Sequence, residues 1–221
     1  MLVVVNPHRD DAARAGELVT RALQAEGIDV CRSFEPSGDE PIEAAVVLGG
    51  DGTILHAASM TRGTDIPLLG VNLGHVGFLA EAEREDVRHA IQRLVAGDYT
   101  VEQRNTLEVA VQQPDGAVAT GWALNEATVE RANLRRTVEL AVEVDGRPVS
   151  TFGCDGVVVS TATGSTAHAF SAGGPILWPD VDALLFVPLA AHALFARPLV
   201  VGPRSWFALE VTDRKIGRAY V

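Results

Sequence analysis

Three short segments hold residue types that pack poorly in a core and suit chemistry well. The first is Gly49-Gly50-Asp51-Gly52-Thr53, directly after the apolar run Ala44–Leu48. Glycines at the end of a buried strand let the backbone take positive φ and let a ligand come against the main chain. A helix beginning after Thr53 would aim free N–H groups at an anion. A carboxylate is electrostatically awkward in a phosphate-binding turn. Asp51 is therefore expected to act chemically, by orienting or deprotonating a hydroxyl or by helping to hold Mg²⁺. A tight strand–helix turn with a surface aspartate would explain a bare GxG; it explains the whole GGDGT less well.

The second segment runs from Asp155-Gly156-Val157-Val158-Val159-Ser160 into Thr163-Gly164-Ser165-Thr166-Ala167. It reads as a strand feeding a turn of small hydroxylated residues, with a short helix over Ala167–Ala172 stopped by Gly173-Gly174-Pro175. The hydroxyls of Thr163, Ser165 and Thr166, with exposed backbone N–H groups, suit a base edge or a ribose. A Ser/Thr helix cap is the plainer alternative, but a cap needs one such residue rather than several. The third segment is Asn125-Glu126, inside the otherwise apolar, strand-like Trp122–Val129. An amide beside a carboxylate is a poor core pair unless each finds a partner. Alone, the pair is equally compatible with an edge or a turn.

Several other patterns carry no function. GxxxxGK[ST] is absent, as is GxGxxG after a strand. His8-Arg9-Asp10 mimics part of a kinase catalytic loop without its companion motifs. The histidines show no metal-ligand spacing, and His192 reads as a packing residue.

The elements that must position these residues change character along the chain. Strand-like Leu2–Val5, Ile28–Cys31, Ala44–Leu48 and Pro67–Val71 alternate with helical patterns over Asp11–Glu26, Ile54–Met60 and Asp86–Val95, with Ser33–Pro41 as a loop. Such alternation predicts a parallel sheet covered by helices. Beyond Tyr99 the pattern turns to period two. Leu107–Val111 leads to a Pro114-Asp115-Gly116 turn, and Val138–Val144 passes through Asp145-Gly146 into Pro148–Phe152 as a hairpin. Gly156–Ser160, Leu184–Pro188, Pro198–Val201 and Trp206–Val211 are further strands. The expectation is an α/β domain over 1–100 and a β-rich, sandwich-like domain over 101–221.

The 221 residues carry a formal net charge of −11. An acidic balance argues against non-specific nucleic-acid binding, though not against a small anion held locally. No apolar run reaches membrane-spanning length, and no signal peptide is expected. Two cysteines, Cys31 and Cys154, make neither a disulfide framework nor a zinc set, so a cytoplasmic setting is expected.

Together these segments resemble the NAD kinase family, the inorganic polyphosphate/ATP–NAD kinases. The resemblance runs through GGDGT, Gly70–Leu79, Leu124-Asn125-Glu126, Asp155-Gly156, Thr163–Ala167, Ser171–Ile176 and His192–Val201. GGDGT is shared with lipid kinases; TGSTA followed by SAGGP is far more specific. The resemblance implies transfer of a phosphoryl group from ATP or polyphosphate to the adenosine-ribose 2′-hydroxyl of NAD, giving NADP. It implies Asp51 as the base or orienter, and Gly49, Gly50, Gly52 and Thr53 around the phosphates. Asn125 and Glu126 would contact adenosine and ribose. Phe78, Thr163, Thr166, Ala167, His168 and Ser171 would line the nucleotide site. Asp155 would hold the nicotinamide end, across a subunit interface. Mg²⁺ or another divalent cation would accompany ATP, and the chain would form a homodimer or homotetramer. Where the family usually has tyrosine after TGSTA, this chain has His168. The ending Asp213–Arg218 does not read as a finished domain edge, so the β-rich part is expected to be incomplete there. A lipid kinase and a non-catalytic NAD(P) sensor are the alternatives.

Overall fold

The computed structural model describes residues 1–6, 8–34, 41–73, 79–80, 82–83, 86–133, 135–178, 180–191, 197–212 and 218–220. The chain divides into two compact units, Met1–Glu102 and Gln103–Val221.

The first unit is built on four parallel strands in the order β1 (Leu2–Val5), β2 (Ala45–Leu48), β3 (Leu68–Asn72) and β4 (Ala82–Glu83). β1 and β2 are continuous apolar runs because helices cover both faces of the sheet. Val3, Val46, Leu48 and Val71 meet Ala12, Val19 and Leu23 of α1 (Asp10–Ala25) and Ile91 of α3 (Val87–Val95). Alternate residues Leu2, Val4, Ala45 and Val47 meet Ile54 and Ala57 of α2 (Asp51–Thr61) on the other side. Gly27 ends α1 with a φ of 77°, which glycine adopts without strain. The strand expected over Ile28–Cys31 reduces to one isolated bridge between Cys31 and Leu2.

The second unit is β-rich and sandwich-like. A six-stranded sheet runs β6 (Val118–Ala123), β5 (Leu107–Gln112), β14 (Arg218–Tyr220), β13 (Phe207–Val211), β8 (Val138–Val144) and β9 (Arg147–Cys154). A four-stranded sheet runs β12 (Leu199–Val201), β11 (Leu184–Leu189), β10 (Gly156–Thr161) and β7 (Glu126–Glu130). Their inner faces share one core. Leu140, Val142 and Leu209 of the first sheet meet Val157, Val159 and Phe186 of the second. The Phe186 and Phe207 rings stack at 5.4 Å. The β8–β9 hairpin turns on Asp145 and Gly146, both at positive φ (52° and 74°), the pair of conformations a two-residue hairpin demands. On the outer face of β10 and β11, Val158, Leu185 and Val187 pack under Ala169 of the short helix α4 (His168–Ser171).

Candidate active site

In the first unit, β2 runs straight into Gly49 and Gly50, and α2 starts at Asp51 rather than after Thr53. Gly50 is the extended cap residue. Its carbonyl accepts from the Thr53 N–H at 2.9 Å and the Ile54 N–H at 3.3 Å. Asp51 and Gly52 thus form the first helical turn, where backbone N–H groups have no intrahelical acceptor. The glycines are not there for positive φ, since none of the three has it. A Cβ on Gly49 would meet the Thr53 Cβ at 2.8 Å and collide with its hydroxyl. A Cβ on Gly50 or Gly52 would meet nothing within 4 Å. Packing within the chain therefore explains Gly49. Gly50 and Gly52 leave open surface over a helix start, as a phosphate group needs. The Asp51 carboxylate is held in place: its Oδ1 accepts the Leu79 N–H at 3.2 Å. Phe78 lies outside the described residues, as does His192.

In the second unit, Leu124 and Asn125 bend the chain between β6 and β7. The Thr161 hydroxyl donates to the Leu124 carbonyl at 2.6 Å, while the Thr161 N–H reaches the Asn125 carbonyl at 2.9 Å. The same hydroxyl accepts the Gly164 N–H at 3.1 Å. Gly164 lies so close to the Asn125 backbone that any Cβ there would collide with it. Thr161 thereby fastens the 124–125 bend to the 3₁₀ turn Thr163–Thr166. Sequence reasoning misses Thr161, whose only signal is a hydroxyl ending an apolar strand.

This clamp brings Asn125, Glu126, Thr163, Thr166, Ala167 and His168 to one end of the four-stranded sheet, with Ser171 exposed at the last position of α4. Asn125 Oδ1 and Glu126 Oε2 are buried with no hydrogen-bond partner. Desolvation pushes the Glu126 carboxyl above its usual range, and His168, through its ring and its backbone N–H, pulls it back. Ser165 is not available to a ligand. Its buried hydroxyl bridges the Ala162 carbonyl at 2.7 Å and the Leu177 N–H at 2.9 Å.

Asp155 is not with this group. It precedes β10 at the strand's other end, about 20 Å from Thr161 at a strand's rise per residue. Its carboxylate pairs with Arg131 Nη1 at 2.7 Å, and the Arg131 N–H donates to its carbonyl at 2.9 Å. Among the described residues no three His, Cys, Asp or Glu side chains gather as a metal cage.

A helix start opened by glycine can receive an anion, and a bend with two buried, unsatisfied oxygens can receive hydrogen-bond donors. The class that such features suit is a phosphotransferase acting on a nucleotide. The ATP-NAD kinase N-terminal domain matches residues 4–99 and the ATP-NAD kinase C-terminal domain residues 124–219. The NAD kinase of Leifsonia xyli is 52% identical over 233 residues, spanning 96% of this chain and 77% of that protein. NAD kinase 2 of Streptomyces coelicolor is 47% identical over 229 residues, spanning 96% and 76%. The crystal structure of an NAD kinase from Archaeoglobus fulgidus in complex with ATP superposes with a TM-score of 0.72 at 25% identity, covering 99% of this chain and 88% of that one. Yeast NADH kinase, solved with NADH, shares the fold with a TM-score of 0.87 at 24% identity, covering 99% and 78%. The chain belongs to the NAD kinase family.

Proposed function

We propose that the protein phosphorylates the adenosine-ribose 2′-hydroxyl of NAD, with ATP or polyphosphate as donor, to make NADP. The observation that carries this reading is the pair of buried, unpartnered oxygens, Asn125 Oδ1 and Glu126 Oε2, beside a hydroxylated turn. Burying them unpaired is unfavourable unless a ligand supplies donors. Ribose hydroxyls and an adenine amino group are such donors. Glu126 grips the ribose, and Asn125 with Thr163, Thr166 and Ala167 orients the adenosine. The donor's phosphates lie over Gly50 and Gly52 at the start of α2. Asp51, steadied by the Leu79 N–H, orients the 2′-hydroxyl and takes its proton as the phosphoryl group arrives.

A divalent cation fits this chain as a partner of the donor phosphates. The ion would be carried by the phosphates themselves, with Asp51, the acidic side chain in the first turn of α2, nearby and kept for the hydroxyl. Such an ion neutralises charge on the transferred group. Both cysteines are free, which suits a reducing cytoplasm, and no described helix is long and apolar enough to cross a membrane. The matched stretch 124–219 lies outside the GGDGT segment that lipid kinases share.

The chain works as a homodimer or homotetramer in this reading. Asp155, remote from its own Glu126, serves the nicotinamide end of a neighbour's NAD. Phe170, Ile176 and Trp178 beside the turn are 53%, 51% and 70% exposed and supply apolar surface for such a contact.

Steady-state kinetics test the roles. Asp51→Asn should retain NAD binding and lower kcat by about 10²-fold or more, the scale of a lost general base. Glu126→Ala should raise KM for NAD more than KM for ATP. Near-native turnover in the first variant, or equal KM effects in the second, would contradict the assignments.

A further inference from the structure

We infer that the Thr161 hydroxyl is a positioning group for NAD: it holds the Leu124-Asn125 bend to the Thr163–Thr166 turn in the free protein, and so keeps Asn125 Oδ1 and Glu126 Oε2 in place for a nucleoside's donors. The inference rests on the reading that these two oxygens receive the adenosine end of NAD.

The β7–β10 ladder ends where Glu126 pairs with Ser160. Past that point β10 still grips the bend. The Thr161 N–H donates to the Asn125 carbonyl at 2.9 Å, and the Thr161 hydroxyl donates to the Leu124 carbonyl at 2.6 Å. A hydroxyl donates one proton and keeps lone pairs with which to accept. Thr161 Oγ1 uses them for the Gly164 N–H at 3.1 Å. One oxygen thus ties both sides of the nucleoside site, and Thr161 is 1% exposed, so water does not compete for it. The Ser160 hydroxyl does not replace it. That group lies 3.3 Å from the Asn125 carbonyl but donates at 2.9 Å to the Thr161 carbonyl.

A threonine that served packing alone would need a partner for its own hydroxyl and nothing more. The bonds of Thr161 land where they set the site. The Leu124 carbonyl shares a peptide plane with the Asn125 N–H, and the Asn125 carbonyl shares one with the Glu126 N–H. Planar peptides leave two soft dihedrals per residue, so fixing both carbonyls aims the two side chains. Their buried oxygens have no partner among the described residues. Left free, the bend would relax and turn them to water, because buried acceptors without donors are unfavourable. The clamp opposes that relaxation. A site ordered before its ligand arrives binds more tightly than one the ligand must order. Gly164, with no room for a Cβ against the Asn125 backbone, carries the same constraint into the turn that holds Thr163 and Thr166.

Steady-state kinetics and calorimetric titration with NAD test this on the full chain, comparing wild type, Thr161→Val and Thr161→Ser. Valine keeps the shape and removes the hydroxyl; serine keeps the hydroxyl and removes the methyl group. Thr161→Val should raise KM and Kd for NAD about tenfold, the scale of one lost hydrogen bond, with KM for ATP and kcat per folded molecule within about twofold of wild type. Thr161→Ser should restore NAD binding. A threonine with a structural role alone would lower Tm and the folded fraction but leave KM for NAD of the folded enzyme unmoved. That result, an equal rise in both KM values, or no rescue by serine overturns the inference. If Thr161→Val does not fold, hydrogen exchange of wild type decides. Protection of the Gly164 amide in the ligand-free protein supports the clamp, and protection gained only on adding NAD overturns it. If wild type neither binds nor phosphorylates NAD, the functional reading fails and the inference with it; wild-type turnover of NAD with an unmoved KM in Thr161→Val overturns the inference alone.

Discussion

Glu126 keeps a carboxylate where burial disfavours its charge, and that has a consequence for stability. Desolvation lifts its folded-state pKa above the ordinary 4.5. Between the unfolded and folded values the native state carries the extra proton, so stability falls as pH rises through that window, and the penalty is complete above it. Glu126→Gln should raise Tm at pH 7 by about 1–3 °C and leave it unchanged near pH 4, followed by calorimetric unfolding. A loss of stability at pH 7 would mean that the carboxylate holds the fold rather than the ligand. Glu126 and Asp51 are legible as residues because each is a charge amid glycines or apolar neighbours. Ser165 shows the limit of such reading. Its hydroxyl looks the same in sequence as that of Thr166, yet it is fully buried and bridges two backbone segments. Which hydroxyl faces outward depends on the 3₁₀ turn, and composition does not encode it.

The turn from β2 into α2 separates two reasons for a glycine. Gly49→Ala drives a methyl group into Thr53 and should destabilise the first unit by about 1–3 kcal/mol in denaturant unfolding. Gly52→Ala meets open space within a helix and should leave the fold as stable or gain about 0.5–1 kcal/mol. If the donor's phosphates lie over this surface, as proposed, it should nonetheless weaken ATP use. Full activity in Gly52→Ala would remove the phosphates from this surface. Long apolar runs such as Leu2–Val5 and Ala45–Leu48 declare their strands directly, since burial on both faces asks for an apolar residue at nearly every position. The pairing of β14 between β5 and β13 does not show in the sequence. Arg218-Ala219-Tyr220 has no run and no period, and its place in the sheet comes from long-range hydrogen bonds. Ile28–Cys31 errs the other way: it is apolar enough for a strand but makes a single bridge.

Across the full chain, the change from helix–strand alternation to period-two segments marks an α/β part and a β-rich part, because each pattern can bury its apolar face in only one kind of layer. The position of Asp155 is less legible. It stands five residues before Ser160 in sequence, but a strand converts that spacing into distance and sets it beside Arg131. If a neighbouring subunit uses it, mixing Asp155→Ala with Asp51→Asn after subunit exchange should recover part of the activity that each lacks. No recovery, or a fully active monomer in sedimentation, would confine Asp155 to its own subunit as the partner of Arg131. The roles given to Asp51, Glu126 and Asp155 all depend on one reaction. Purified protein incubated with NAD, ATP and Mg²⁺ should yield one new dinucleotide whose phosphorus resonance and coupling place the added phosphate on the 2′-oxygen of the adenosine ribose. No transfer to NAD, or a phosphate on any other hydroxyl, would contradict those roles.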